Sequence, residues 1–146
     1  MVFPKILVLV IHVAAAAVVL GASLGWGRSL QKAAQAGAQA WEVVLSDVAR
    51  RLVLVRVTSM MTLFTGVALI FMSGGFAVVP KTYHIALTLM LASVGWVMFL
   101  LAPAVKALKQ VPLSNGAAPV KLGKVAMGTG VLHAVWLVLL VLMFVR

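Results

Sequence analysis

Residues 52–79 read LVLVRVTSMMTLFTGVALIFMSGGFAVV, and residues 83–102 read YHIALTLMLASVGWVMFLLA. Neither run contains an Asp or Glu, and only Pro80-Lys81-Thr82 separates them. A helix rises about 1.5 Å per residue, so each run crosses about 30 Å of hydrocarbon. A three-residue link predicts that the two helices are antiparallel neighbours. The first run is long for a span and is expected to tilt or project.

Two further runs of the same kind lie outward, at residues 2–26 and 122–145. The composition agrees: 64% of the 146 residues are hydrophobic and only 10% are charged. An ordinary soluble domain carries roughly 25% charged residues. These figures exclude a disordered chain, a soluble enzyme and a nucleic-acid-binding domain. The expected class is all-α, an integral membrane up-down bundle of four transmembrane helices forming one domain over residues 1–146.

The charge is +10, from twelve Lys and Arg against Glu42 and Asp47. The basic residues flank apolar runs, the pattern of anchoring to anionic lipid rather than to nucleic acid. Arg28, Lys32, Arg50, Arg51, Arg56, Lys106, Lys109, Lys121 and Lys124 fall on one side of the spans. Lys5, Lys81 and Arg146 fall on the other. The positive-inside rule then places both longer connections in the cytoplasm and both termini outside, in the cell membrane. The charge following the first run exceeds the charge preceding it, so that run is expected to be a span and not a cleaved signal.

The first longer connection carries Leu30, Ala34, Gly37, Trp41, Val44, Val48 and Leu52 at spacings of three and four. This predicts a cytoplasmic amphipathic helix between spans one and two, lying on the membrane or capping the bundle. The second contains Pro112, Ser114-Asn115-Gly116 and Pro119, which is turn chemistry.

No paired carboxylates, Ser-His-Asp set or His-Glu-x-x-His motif is present. The sequence therefore leaves open whether the chain is an enzyme. With no cysteine, thiolate metal sites and Cys-linked haem are excluded. The candidate ligands at membrane depth are His12, His84 and His133. Helix rise puts His12 about 15 Å and His133 about 18 Å below the outer surface, with His84 only about 6 Å below it. First and last helices often adjoin in such bundles, so His12 and His133 are expected as a level pair. A level pair can ligate b-type haem axially or hold copper. Thr58, Thr62 and Thr65 form a stripe suited to interhelical hydrogen bonds. Ala17, Gly21 and Gly25 form a small-residue stripe about 140–180° around the helix from His12. That stripe suits packing against a second copy or another membrane subunit.

His12 followed by Gly21-Ala22-Ser23-Leu24-Gly25, Arg50-Arg51-Leu52 leading to Thr65-Gly66, and Leu89-Met90-Leu91 through Ala102-Pro103 carry a resemblance. The chain resembles a group of small four-helix membrane proteins that includes the CopD-like copper-resistance proteins and the HemJ-type protoporphyrinogen oxidases. The HemJ resemblance implies haem or porphyrin binding through His12. Where that family has Pro-Arg after the first span, this chain has Gly25-Trp26-Gly27-Arg28. The CopD resemblance implies copper handling. The readings that follow are haem b binding in a redox or assembly role, copper binding or transfer, or a cofactor-free structural subunit of a larger membrane complex.

Overall fold

A computed structural model describes residues 2–110, 113 and 121–144, and no strand occurs among the described residues. The helices are α1 (Val2–Ser23), α2 (Trp26–Ala36), α3 (Ala38–Met72), α4 (Lys81–Trp96), α5 (Ala102–Lys109) and α6 (Lys121–Phe144). A π-helical turn, Val97–Leu101, joins α4 to α5. Four helical stretches are long and apolar enough to cross a membrane: Phe3–Ala36, Ala38–Met72, Lys81–Lys109 and Leu122–Met143. The turn residues expected at Pro112, Ser114-Asn115-Gly116 and Pro119 lie outside the described residues.

Glycines set three of the boundaries. Gly25, at φ +77°, bends the chain between α1 and α2. Gly37, at φ +106°, separates α2 from α3. The expected amphipathic helix is therefore two helices folded into a hairpin, and its second arm continues without a break into span two. Its apolar stripe is placed as expected: Leu30, Ala34, Trp41, Val48 and Leu52 are all buried. The third boundary corrects the expected three-residue link. Span two stops at Met72, and residues 73–80 form the connection. The cause is a Schellman cap at Gly74, φ +107°, where Gly75 N–H donates to Ile70 O (3.0 Å) and Gly74 N–H to Phe71 O (3.2 Å).

The π-turn has a local cause. Pro103 has no N–H, and in a regular helix its ring collides with the carbonyl of Phe99, four residues back. Widening the turn relieves the clash, and Ala102 N–H bonds to Val97 O, five residues back.

Helix α1 lies along α3, while α4 packs on α6 and α3. Helix α2 packs on α3 and α6, and α1 meets α6 over only a short stretch. First and last helices thus do not adjoin along their length, contrary to expectation. Their contact is confined to the basic end of α1, where Leu20 and Ser23 meet His133; elsewhere α1 packs on α3 and α6 on α4. Trp26, Leu30 and Ala34 of α2 join Trp41, Leu45 and Val48 of α3, Val105 and Leu108 of α5, and Leu122 and Val125 of α6 in one buried cluster. Toward the other end the helices expose large apolar side chains such as Phe3, Val10, Phe64 and Val141. That is the surface expected against lipid tails, where apolar exposure costs nothing.

Candidate ligand groove

At the basic end, the elbow between α1 and α2 stands off from the first turns of α6. The two helices touch where Gly27 faces Ala126: a Cβ on Gly27 would lie 2.8 Å from the Ala126 Cβ. Beside that contact is an open groove of about 740 Å³. Gly25, Gly27, Gly123, Ala126 and Gly130 line it, which is why there is room. Arg28 and Gln31 of α2 and His133 of α6 supply its main polar groups. Helix α2 begins there without a side-chain cap, so its first-turn N–H groups add positive potential.

His133 is held by its own helix. Its Nδ1–H donates to Thr129 O at 2.7 Å. Its Nε2 stands 3.3 Å from both Leu20 O and Ser23 Oγ of α1. A carbonyl oxygen has no proton to give, and the Ser23 hydroxyl donates to Val19 O at 2.7 Å. In the tautomer set by Thr129, the Nε2 lone pair therefore faces no committed donor. A metal-ligating imidazole also donates its second N–H to a carbonyl, but here Nε2 is turned onto α1.

His12 has the same wiring in a different setting. It is buried, and its Nδ1–H donates to Thr65 Oγ1 at 3.0 Å. The Thr65 hydroxyl can accept because its own proton goes to Met61 O (2.7 Å). The imidazole edge lies on Gly66, where a Cβ would come within 3.1 Å of His12 Cε1. His12 does not line the groove.

The two histidines are not a level pair. His133 meets α1 at Leu20 and Ser23, eight and eleven residues beyond His12, or about 12–17 Å along the helix. Depth counted from span ends fails here because α1 and α6 do not run side by side. A haem held axially between His12 and His133 does not fit this arrangement.

His84 is remote from both. It is exposed, and its Nε2–H donates to Phe76 O at 3.1 Å with the two rings 5.8 Å apart, tying the turn at 73–80 to α4. Among the described residues no group of three or more His, Cys, Asp or Glu comes together as a metal site. The expected small-residue stripe is divided. Ala17 and Gly21 are exposed on α1, with nothing within 4 Å of a Cβ on Gly21. Gly25 lies past the end of α1 and serves the elbow and groove instead. The Thr stripe bonds mainly to its own helix: Thr58 to Leu54 O and Thr62 to Thr58 O, with Thr65 alone reaching another helix.

Sequence reading missed Arg28, Gln31 and the glycines of α6 as a site. The available signal was Gly25-Trp26-Gly27-Arg28 and the Gly123, Gly130 pair, but only the α2–α6 contact makes them neighbours. Compared with protein-family profiles, curated proteins and solved structures, the chain has no match.

Proposed function

We propose that this chain is a multi-pass protein of the cell membrane that binds a b-type haem in the groove beside α6, in a redox or assembly role. The observation that carries the reading is His133, which lines the 740 Å³ groove with its Nδ1–H committed to Thr129 O; Nε2 would reach iron once Leu20 O and Ser23 Oγ of α1, now 3.3 Å from it, move aside. Arg28, with the uncapped start of α2, would receive the haem carboxylates. The iron would supply the electron chemistry, and the chain would supply orientation and an apolar surround. The basic end faces the cytoplasm by the positive-inside rule, with both termini outside and the spans running up and down. His12 has a packing role in this reading.

The test is an absorption spectrum of the full chain purified in mild detergent, oxidised and then reduced, with iron and copper assayed on the same sample. The expected result is a Soret band with sharp reduced bands and near-stoichiometric iron. His133→Ala should remove them while His12→Ala keeps them. A folded chain that stays colourless after reconstitution with hemin overturns the proposal, and stoichiometric copper would move it to the copper reading. One observation favours a cofactor-free structural subunit. Ala17 and Gly21 are exposed on α1, and among the described residues nothing lies within 4 Å of a Cβ on Gly21, which suits packing by a second copy or another subunit. A colourless chain that crosslinks through a cysteine placed at Gly21 would establish that reading.

A further inference from the structure

The apolar part of α3 runs from Leu52 to Met72, 21 residues or about 31 Å, which matches the hydrocarbon thickness. Arg56 therefore lies about 6 Å inside the hydrocarbon edge. It is exposed, not turned into the bundle. Its Nε–H points at the Met98 thioether of the π-turn at 3.1 Å, and a thioether is a weak acceptor. Neither acid of the chain serves it. Asp47 pairs with Arg51 at 2.8 Å and lies near Arg50 at 3.8 Å. It is also nine residues before Arg56, half a turn around the helix. Glu42 is a further turn away. From this depth an Arg side chain extends to the headgroup level, where the phosphate oxygens of lipids are the anionic groups available to it.

Lys106 follows Met98 by two turns on the same side of the span and is exposed. Helix α5, which carries it, packs against α3. Arg56 thus stands just inside the hydrocarbon boundary, and Lys106 stands about 12 Å from Met98 toward the basic end. The phosphate level of the leaflet falls between them. A long basic side chain reaches such a level by extending along the helix toward water.

The geometry points to a binding site for the phosphate of an anionic phospholipid between α3 and the π-turn–α5 segment, with Arg56 holding it from the hydrocarbon side and Lys106 from the aqueous side. The guanidinium supplies a two-pronged donor matched to phosphate oxygens, and the ammonium supplies a point charge. The exposed Phe99 and Leu100 beside Met98 offer apolar surface to the acyl chains. The site shares no residue with the groove, so it stands whether or not haem is bound.

The experiment is native mass spectrometry of the full chain in mild detergent, titrated with dioleoylphosphatidylglycerol. Dioleoylphosphatidylcholine is the zwitterionic reference and inorganic phosphate the competitor. Phosphatidylglycerol is expected to bind in preference to phosphatidylcholine. Arg56→Gln and Lys106→Gln should each weaken it about fivefold. Arg56→Lys, which keeps charge and fold but not the fork, should fall between wild type and Arg56→Gln. Lys81→Gln, at the opposite end of span three, should change nothing. The site is overturned if both Gln variants bind phosphatidylglycerol as wild type does, or if Lys81→Gln weakens it equally. Displacement of the lipid by millimolar inorganic phosphate would overturn the lipid assignment in favour of a free anion.

Discussion

Gly27→Ala tests the contact on which the groove depends. A Cβ at position 27 would lie 2.8 Å from the Ala126 Cβ and 3.2 Å from its Cα. Carbon atoms prefer about 3.5–4.0 Å, so the overlap with the Ala126 methyl is about 1 Å. Neither atom is at the end of a flexible side chain, so α2 and α6 must separate. Overpacking of this size costs about 1–3 kcal/mol. The better helix propensity of Ala returns up to about 1 kcal/mol, leaving a net loss of up to about 2 kcal/mol when that return is full. Ala126→Gly alone should cost about 1 kcal/mol in propensity. In the double variant the methyl group has only changed helix, so the 2.8 Å clash disappears and only the 3.2 Å approach to the Cα at position 126 remains. A double-mutant cycle should therefore return at least about 1 kcal/mol of favourable coupling. The assay is SDS titration in mixed micelles, followed by loss of helical circular dichroism. Hemin titration of the same samples reports the groove, which the single Gly27→Ala variant should alter and the double variant restore. A double variant no better than the sum of its parts would refute the close contact.

Thr65→Val keeps the shape but removes the acceptor for His12 Nδ1–H, and should cost about 0.6 kcal/mol and at most about 1.7 in the same titration. Adding His12→Ala to it should then cost less than His12→Ala alone, since the hydrogen bond is already gone. Gly74→Ala places a methyl group at φ +107°, 3.4 Å from Val78; strain of about 1–3 kcal/mol should speed amide exchange in the last turn of α3, read by mass spectrometry. Pro103→Ala restores an N–H that can bond to Phe99 O, letting the π-turn relax to α-helix and rotating the preceding residues. The Trp96 indole should then lose its 3.0 Å bond to Gly128 O, visible as a shift of the indole N–H resonance assigned by Trp96→Phe; an unmoved resonance would refute Pro103 as the cause of the π-turn.

Hydropathy located the four helices long and apolar enough to cross a membrane, because a membrane allows few alternatives. A 20-residue apolar run without acids must satisfy its backbone internally, and a helix does so. The stripe from Leu30 to Leu52 was equally legible, since a 3.6-residue period does not depend on the partner that covers it. What the pattern did not carry was the break inside it. Gly37 fell on the stripe as one more small residue, and its positive φ is a property of the backbone alone. The end of span two was missed for a related reason. Gly74 and Gly75 scored as tolerable members of an apolar run, yet together they complete a helix cap. The site was less legible than the fold. His12 and His133 were compared by counting residues from span ends, which assumes that helices α1 and α6 are adjacent and untilted. Their hydrogen bonds to Thr65 and to the Leu20–Ser23 turn show the offset that counting cannot.

The parallel wiring of the two histidines narrows what distinguishes them. Each donates Nδ1–H to an oxygen, His12 to Thr65 Oγ1 and His133 to Thr129 O, and the Nε2 of His133 stands 3.3 Å from Leu20 O and Ser23 Oγ. Ligand basicity is thus set in the same way at both. Their surroundings differ. His12 lies on Gly66, and that glycine admits the imidazole and nothing more, because a single Cβ there would already press on Cε1. Its glycine is used up by the histidine itself. His133 stands in α6 three residues after Gly130, on a groove where Gly123, Ala126 and the glycines of the elbow leave space unfilled. Glycine therefore plays opposite parts at the two sites, closing one around its histidine and holding the other open. Adding bulk separates the roles. Gly130→Leu should block a ligand at His133 with little loss of stability, since nothing lies within 4 Å of a Cβ there. Gly66→Leu should unfold the α1–α3 contact without first affecting the groove. If Gly130→Leu bound hemin as wild type does, the open space beside His133 would not be where the ligand sits.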